Sequence, residues 1–170
     1  VYEGEYVKGK REGYGTYTFP DGEKYEGQWF QDQQHGKGIY YFMNNNRYDG
    51  MWFQDYQQGK GTMYYYTGDI YEGDWVNDKR EGQGTYTWKN GSKYEGSWKN
   101  DKKEGKGTFV WNDGCKYEGD WKNNVRDGKG TFEYANGDKY VGDWKDDMQH
   151  GKGIYFFHTG DRYEGAYVQG

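Results

Sequence analysis

The side chains best suited to nucleophilic or acid–base chemistry are three histidines and a single cysteine, Cys115. His35 and His150 occupy the same place in two similar segments, each directly before a glycine, and His158 stands in a segment typical of a turn. Catalysis by such groups needs a nucleophile, a base and an orienting partner, and no Ser, Cys or carboxylate constellation is tied to the histidines. We therefore expect loop histidines, no catalytic residue, and a protein that is not an enzyme.

Metal ions and phosphate groups have no recognisable binding pattern in the sequence either. Zinc sites need clustered Cys, His or carboxylate ligands, whereas Asp146 and Asp147 form only an acidic pair in a loop. The Gly-x-Gly pattern occurs seven times, but no helix is predicted after it, so it lacks the architecture of a phosphate-binding loop. The sequence predicts no metal and no cofactor.

The elements that position any site must be held together by aromatic rings. The 170 residues include 30 Gly, 21 Tyr, 8 Trp and 8 Phe but no Leu, and Ile occurs at three positions. Aliphatic side chains are therefore too few to fill a core. So much glycine is compatible with a stable fold only where its positions follow a period.

The charge balance bears on partners and on the cellular setting. Lys and Arg total 23 against 28 Asp and Glu, a formal net charge of −5, which argues against nucleic acid as a partner and disfavours anionic membrane lipid. A lone cysteine is typical of a reducing, cytoplasmic setting. No apolar run of about 18 residues is present, so we expect no membrane-spanning segment. Because the first residue is Val, we expect a piece of a longer protein.

A strict period of 23 residues runs through the whole sequence. When the tyrosine that begins each repeat is counted as position 1, every full repeat has Gly at positions 3, 12 and 14 and Trp or Tyr at position 5. Position 21 is Gly in every full repeat except for Asn45. We predict one array over residues 1–170, with seven full repeats and a partial repeat from Tyr163. The full repeats begin at Tyr2, Tyr25, Tyr48, Tyr71, Tyr94, Tyr117 and Tyr140.

Each unit is predicted to supply two strands. Positions 1 to 6, such as residues 94–99, alternate between aromatic or Gly and polar residues, and so do positions 14 to 18; a period of 2 is typical of strands. A three-residue loop between units, such as residues 20–22, places positions 14, 16 and 18 on the same face as positions 1, 3 and 5, whereas a two-residue loop would divide the rings between both faces. We expect the three-residue loop, a type I turn that ends on Gly, or on Asn45, with positive φ.

These patterns predict an all-β fold, an elongated single-layer antiparallel meander of 23-residue β-hairpins, twisted into a ribbon or rod with an aromatic-lined groove. One face carries the rings, and the glycines leave space for rings from neighbouring strands. The other face is polar and carries alternating charges, such as those of Lys24 and Glu26 or of Lys93 and Glu95.

The recurring pattern Tyr-Glu-Gly-x-Trp, followed by Gly-x-Gly-x-Tyr-x-Phe/Trp-x-Asn/Asp-Gly, resembles the MORN repeat over the entire chain. The resemblance implies an elongated antiparallel sheet with a groove, which acts as a cytoskeletal, ciliary or membrane-proximal scaffold and in some cases binds a partner helix. Residues 20–65, with the segment 40–45 and Trp52-Phe53, are similar to radial spoke head MORN proteins of cilia. That similarity implies a location at the cytoskeleton or in the cilium axoneme.

The resemblance and the aromatic face together predict a non-catalytic scaffold for protein–protein interaction. A single sheet has no second layer to cover its rings, so a partner segment, such as an amphipathic helix with aliphatic anchors, is expected in the groove. The alternative is that each ring simply belongs to the core. The candidate groove residues are Tyr25, Trp29, Trp52, Trp75, Trp98, Trp121 and Trp144.

Comparing the repeats with one another predicts a second surface, because residues that differ between repeats are not required by the fold. At position 6, on the polar face, repeats 5 to 7 carry Lys99, Lys122 and Lys145, whereas repeats 2 and 3 carry Phe. Exposed apolar patches usually mark an interface; tolerated drift between repeats is the alternative. The predicted outer patch consists of Phe30, Ile39, Tyr41, Met51, Phe53 and Tyr64, and a smaller one of Val141, Ile154 and Phe156.

Three alternatives stay open. The first, which the family resemblance implies, is a phosphoinositide-binding or membrane-tethering module, although basic pairs such as Lys79-Arg80 and Lys102-Lys103 alternate with acids and do not form an unopposed cluster. The second is a targeting or regulatory segment of a larger enzyme, since MORN arrays occur fused to kinases and methyltransferases. The third is self-association through the end strands, residues 1–7 and 162–168, which are predicted to expose unpaired backbone groups.

Overall fold

A computed structural model describes residues 1–168, which form fifteen strands and no helix; the last two residues of the predicted array lie outside the described part. The chain divides into two compact units, the first of which is Val1–Lys89. The first unit contains β1 (Tyr2–Val7), β2 (Lys10–Thr18), β3 (Lys24–Phe30), β4 (Gln33–Tyr41), β5 (Arg47–Phe53), β6 (Tyr56–Tyr64), β7 (Ile70–Val76) and β8 (Lys79–Thr87). The second contains β9 (Lys93–Lys99), β10 (Lys102–Val110), β11 (Lys116–Lys122), β12 (Val125–Glu133), β13 (Lys139–Lys145), β14 (Met148–Phe156) and β15 (Arg162–Tyr167).

Within each unit, every strand pairs antiparallel with its neighbours in the sequence, which confirms the predicted all-β meander of hairpin repeats. The second strand of a repeat spans positions 9 to 17, so it begins five residues earlier than the alternation predicted. The two strands of one repeat are joined at positions 7 and 8 by a two-residue turn. Both turn residues have positive φ, as in Gln31 at 47° and Asp32 at 69°, which is the geometry of a type I′ hairpin turn.

The connection between repeats has the predicted three-residue loop. The backbone N–H of Phe19 donates to the carbonyl of Glu23 at 2.9 Å, and the N–H of Gly22 donates to the carbonyl of Phe19 at 3.0 Å. The loop ends on a positive φ, 97° at Gly22 and 70° at Asn45, as in a type I turn followed by a bulge residue. Positions 16 and 1 therefore face each other across the connection, and the rings share one face.

A bulge inside each full repeat re-aims the longer strand. The pairing changes from positions 3 and 14 to positions 5 and 10, so that three residues of one strand face a single residue of the other. In β4 the bulge contains Gly36 with a φ of 66°, and the Gln28 side chain accepts the backbone N–H of Lys37 at 2.9 Å. Because the bulge adds an even number of residues, position 10 lies on the same face as position 14.

Each position 1 tyrosine of repeats 2 to 7 lies in a slot floored by two paired glycines, which we call the tyrosine slot. The Tyr25 ring has no exposed surface, and its hydroxyl donates to the carbonyl of Gln28 at 2.8 Å. A Cβ atom at Gly38 would overlap this phenol. Trp29 and Trp52 meet the ring edge-on, with centroids 5.1 and 5.4 Å away, and such pairs contribute about 0.5–1.5 kcal/mol each beyond their burial.

Within a unit, the tryptophan at position 5 couples its repeat to the preceding one. In the first unit, the indole N–H donates to the carbonyl of the position 14 glycine in the preceding repeat, as from Trp29 to Gly15 at 3.1 Å and from Trp75 to Gly61 at 3.0 Å. The polar atom that a buried indole must satisfy is thus used to join neighbouring hairpins.

The outer face carries the predicted ladder of charges. The Lys24 Nζ atom lies 2.6 Å from the Glu26 carboxylate, and the Lys93 Nζ atom lies 3.5 Å from the Glu95 carboxylate. Exposed pairs of this kind stabilise a fold by about 0–1 kcal/mol, so these pairs contribute little to stability and the outer face is freer to vary between repeats.

The tyrosine slot predicts a large cost for one added methyl group. Gly107→Ala places a Cβ atom against the Tyr94 phenol, and we expect it to lower the free energy of unfolding by about 3 kcal/mol, because the overlap forces a buried ring to move. The matched control is Gly114→Ala, where φ is 94° and no atom lies near the new methyl group; backbone strain alone should cost about 1 kcal/mol. Urea unfolding followed by tryptophan fluorescence checks this, and equal costs would contradict the slot.

Candidate functional site

The seven residues predicted to line the aromatic groove form the buried core of the two units. The relative exposure is 0 % for Tyr25 and at most 5 % for the six tryptophans, Trp29, Trp52, Trp75, Trp98, Trp121 and Trp144. A ring enclosed by its own fold to this degree offers a partner almost no contact area. A ligand on this face must therefore touch other residues, and the seven rings lie beneath it.

A second row of rings on the same face, at positions 16 and 18, is mostly half-buried. In the first unit the ring centroids of Tyr17 and Phe19 lie 4.6 Å apart, those of Phe19 and Tyr40 lie 5.7 Å apart, and those of Tyr40 and Phe42 lie 4.6 Å apart. The row lies near the three-residue turns, so it is the part of the aromatic face open to a partner.

A row of polar side chains at position 10 also lies on the aromatic face, where sequence reasoning placed only rings. The guanidinium of Arg126 lies 4.7 Å from the ring centroid of Trp144, and its Nε lies 3.1 Å from the Asp147 carboxylate. Arg11 lies in the same way 4.5 Å from Trp29. Cation–π contacts of this kind contribute about 0.5–2 kcal/mol each. Recognising the two-residue turn at positions 7 and 8 would have predicted this row, because that turn places position 10 opposite position 5.

The residue type at position 10 divides the repeats into two groups. Repeats 1, 4, 5 and 6 carry a cation there, and repeats 2, 3 and 7 carry glutamine. The cations are Arg11, Arg80, Lys103 and Arg126, and the glutamines are Gln34, Gln57 and Gln149. The glutamine repeats are also those that hold the predicted outer patch and the smaller patch, so both faces of these repeats depart from the common pattern.

The turn edge of the aromatic face carries carboxylates that fix the second row of rings. Asp138 accepts hydrogen bonds from the backbone N–H of His158 and from the Tyr155 hydroxyl, both at 2.8 Å, and the His158 imidazole Nδ1 lies 2.8 Å from the same carboxylate. The hydrogen bond from the His158 backbone, followed by those from the two side chains, lowers the pKa of Asp138 to about 2. Ser92 at the equivalent position accepts the backbone N–H of Asn112 at 3.1 Å.

The low pKa of Asp138 predicts a pH-dependent stability difference. Its folded pKa lies below its unfolded value of about 3.9, so its contribution is fully present above about pH 4 and is lost as the pH falls towards 2. We expect Asp138→Ser, which copies Ser92, to be less stable than the unchanged chain at pH 6, and the difference to shrink between pH 4 and 2. Thermal unfolding of both proteins across this range measures it. A difference that stays constant with pH would contradict the assignment.

The outer patch begins with three neighbouring rings that are tilted against one another. Phe30 and Phe53 are 48 % and 49 % exposed, and the His35 imidazole lies between them, with centroids 5.5 and 5.4 Å from the two phenyl rings. The structure thus brings together two predicted residues through a histidine that the sequence had assigned to a solvated loop. His35 is a packing residue of this surface.

Met51 extends the patch along β5 and removes two polar contacts that other repeats make. At position 4, Asp74 pairs with the ammonium of Lys60 in the preceding repeat and accepts the backbone N–H of Gln83 at 3.0 Å. The Met51 thioether makes neither contact. It faces Lys37 across the β4–β5 pair, and within residues 1–168 no carboxylate lies at ion-pair distance from that ammonium. Repeat 3 therefore lacks both the hydrogen bond to the bulge and the ion pair, and it has an apolar surface in their place.

The remaining predicted patch residues lie farther along the strands. Ile39 lies between the acidic side chains at position 2 of repeats 2 and 3. Tyr41 and Tyr64 are half-buried, with the ammonium of Lys24 at 4.6 Å from the first ring and the guanidinium of Arg47 at 4.3 Å from the second. The patch is therefore a band across β3 to β6, apolar at the two-residue turns and mixed with cations at the other end.

Two further findings concern metal ions and membranes. Residues 1–168 contain no group of three or more His, Cys, Asp or Glu side chains arranged to hold a metal ion. The same residues include no helix of the length and apolar character that crossing a membrane requires.

The chain matches a known repeat family along almost its whole length. The family model for the MORN repeat matches seven consecutive segments, residues 2–24, 25–47, 48–70, 71–93, 94–116, 117–139 and 140–162. No curated protein matches the sequence.

Two solved structures are similar in fold. One is the TCP domain of SAS-4 (dCPAP) of Drosophila melanogaster in complex with a proline-rich motif of Ana2 (dSTIL), at 14 % identity and a TM-score of 0.53, with 91 % of this chain and 85 % of that chain covered. The other is the TCP10 domain of Danio rerio CPAP in complex with a peptide of STIL, at 15 % identity and a TM-score of 0.58, with 98 % of this chain and 75 % of that chain covered. At these identities the likeness shows the fold alone.

Proposed function

We propose that this chain, which belongs to the MORN-repeat family, is a non-catalytic scaffold that binds a segment of another protein through the outer patch of repeats 2 and 3. The observation that carries the proposal is the half-exposed pair Phe30 and Phe53, which stand on the polar face where repeats 5 to 7 have lysine. The setting that the family resemblance favours is a cytoskeletal or ciliary axonemal assembly, and the likeness to radial spoke head proteins favours the axoneme.

The patch has the composition of an interface core. Covering the exposed half of each phenyl ring contributes about 1 kcal/mol, and aromatic rings and Met are enriched where proteins meet. The flanking Tyr41 and Tyr64 rings, each beside a cation, supply the polar rim that such cores have. The charge left open at Lys37 favours a partner segment that presents a carboxylate beside its apolar side chains.

The aromatic face is a second candidate surface. Its second row of half-buried rings supports an apolar occupant, such as an amphipathic helix, lying over the seven predicted groove residues. The two similar solved structures each hold a peptide of another protein, which supports a peptide as the kind of ligand for this chain too.

Membrane tethering has less support than protein binding. The basic side chains of Lys103 and Arg126 lie over rings of the aromatic face, and Lys60, Lys106 and Lys129 pair with aspartates. These cations are engaged within the fold, whereas anionic lipid needs several free ones. Flotation with phosphoinositide-containing vesicles at physiological salt is the test, and strong binding would favour the membrane alternative.

Two substitutions test the outer patch. We expect Phe30→Lys together with Phe53→Lys to reduce partner capture about tenfold or more, because two apolar anchors of the interface are lost, while the free energy of unfolding changes by about 0.5 kcal/mol or less, as at other exposed positions. Proximity labelling in the source cell, followed by crosslinking, identifies the proteins whose signal falls.

The matched control is Tyr14→Lys, which replaces an exposed ring outside the patch by the residue found at the same position of repeats 2 and 3. It should leave the labelled proteins unchanged. A double phenylalanine variant that folds normally and keeps every partner would rule out the patch as the binding surface.

Met51 is expected to lower stability while supporting binding. Met51→Gln copies Gln28, whose side chain bonds the bulge, so we expect the free energy of unfolding to rise by about 1 kcal/mol and partner binding to weaken. Met51→Leu, which restores no bond and keeps the apolar surface, should change neither by much. Chemical unfolding and the same capture assay measure both, and a Met51→Gln variant with unchanged stability would contradict the interpretation of the bulge.

A further inference from the structure

We infer that repeat 7 carries a second docking site of the same chemistry as repeat 2, so that the chain binds two copies of one kind of segment, a carboxylate followed by apolar side chains. The inference rests on the proposed function, because it extends the outer-patch chemistry to a second place in the chain. Its core is three outward residues on one strand, which we call the stripe: Lys37, Ile39 and Tyr41 on β4, and Lys152, Ile154 and Phe156 on β14.

The two stripes lie in segments that are more alike than the fold requires. Residues 34–42 and 149–157 are identical at eight of nine positions. Against the same stretch of the other five full repeats, residues 34–42 match at only three to five positions, mainly the glycines. The shared residues beyond the glycines include the stripe isoleucine, where the other five repeats have threonine. The fold accepts threonine there, so the isoleucine needs a separate reason.

The strand geometry places each stripe on the outer face. Side chains two residues apart on a strand point to the same side, and the register pairs Ile39 and Ile154 with position 2 residues of the polar face. Ile154 faces Val141, where other repeats have an acid, and a shallow depression beside it is lined by Val141, Lys152 and Ala166. This surface is more apolar than its counterpart in the other repeats.

The stripe lysine is open in both places. In repeats 3, 5 and 6 the position 13 lysine pairs with an aspartate at position 4 of the next repeat, as from Lys129 to Asp143. The facing residue is Met51 for Lys37 and Ala166 for Lys152. Within residues 1–168, neither ammonium has a carboxylate at ion-pair distance. An open cation at the start of an apolar stripe fits a carboxylate followed by apolar side chains, and the stripe, at about 3.4 Å per residue, is about 14 Å long.

The three isoleucines of the chain make the inference directly observable. The probe is a synthetic peptide with one glutamate and apolar residues two and four positions after it, and its control has lysine for glutamate. With 13C-labelled isoleucine methyl groups, we expect the glutamate peptide to shift the signals of Ile39 and Ile154 much more than that of Ile70, because Ile70 lies beside the patch residue Tyr64 but three strands from the stripe on β4. The lysine peptide should shift none.

Two single variants assign the sites. Lys37→Asp should abolish the Ile39 shift and leave the Ile154 shift, and Lys152→Asp should do the reverse, each by weakening its own site about tenfold or more. A shift at Ile39 alone overturns the second site while the outer patch of repeats 2 and 3 stands. Shifts at neither residue, or equal shifts with the lysine peptide, overturn the carboxylate chemistry. Loss of the proposed function is seen separately, in the capture assay with Phe30 and Phe53 changed to lysine.

Discussion

The fold depends on one constraint, the close approach of a tyrosine ring to the backbone of two paired glycines. In the slot of Tyr48, the phenol passes over Gly50 and Gly61, where any Cβ atom would overlap it. Its hydroxyl reaches the carbonyl of Met51 at 2.9 Å. The slot brings the ring within reach of the tryptophans on either side, so a chain without leucine obtains a continuous core from a single sheet of hairpins in each unit.

The division of labour between the two faces follows from that constraint. The aromatic face must repeat, because each ring is packed against its counterparts in the neighbouring repeats. The outer face carries exposed pairs that contribute little to stability, so its residues can change without loss of the fold. Departures from the repeat are therefore informative on the outer face, and Phe30, Phe53 and Met51 are departures of this kind.

Much of the fold could be predicted from the sequence, because a period of 2 and the length of a loop together determine which residues share a face. Asn45 at the only non-glycine loop end was enough to predict a positive φ there. The bulge could not be predicted in this way, since an alternation that skips two residues looks like irregular sequence. The position 10 residues, such as Arg126, were not expected among the rings because the second strand was predicted to begin only at position 14.

The candidate site was predicted less completely than the fold. Comparison of the repeats identified Phe30 and Phe53, whose rings lie on either side of the His35 imidazole. It also named Trp29 and its equivalents as groove residues, yet the depth at which a ring lies depends on how neighbouring strands pack, and alternation carries no information about that. The ion pair between Lys60 and Asp74 joins two repeats, so it could be recognised only from the strand register. The same register shows that Lys37 faces Met51 and not an aspartate.

The link from a tryptophan back to the preceding repeat gives the repeats of a unit a direction. A tyrosine is sheltered on one side by its own repeat and on the other by the repeat that follows it, as Tyr25 is by Trp29 and Trp52. Within a unit, each tyrosine slot is therefore completed by the repeat that follows it, so the packing of one repeat depends on the presence of the next.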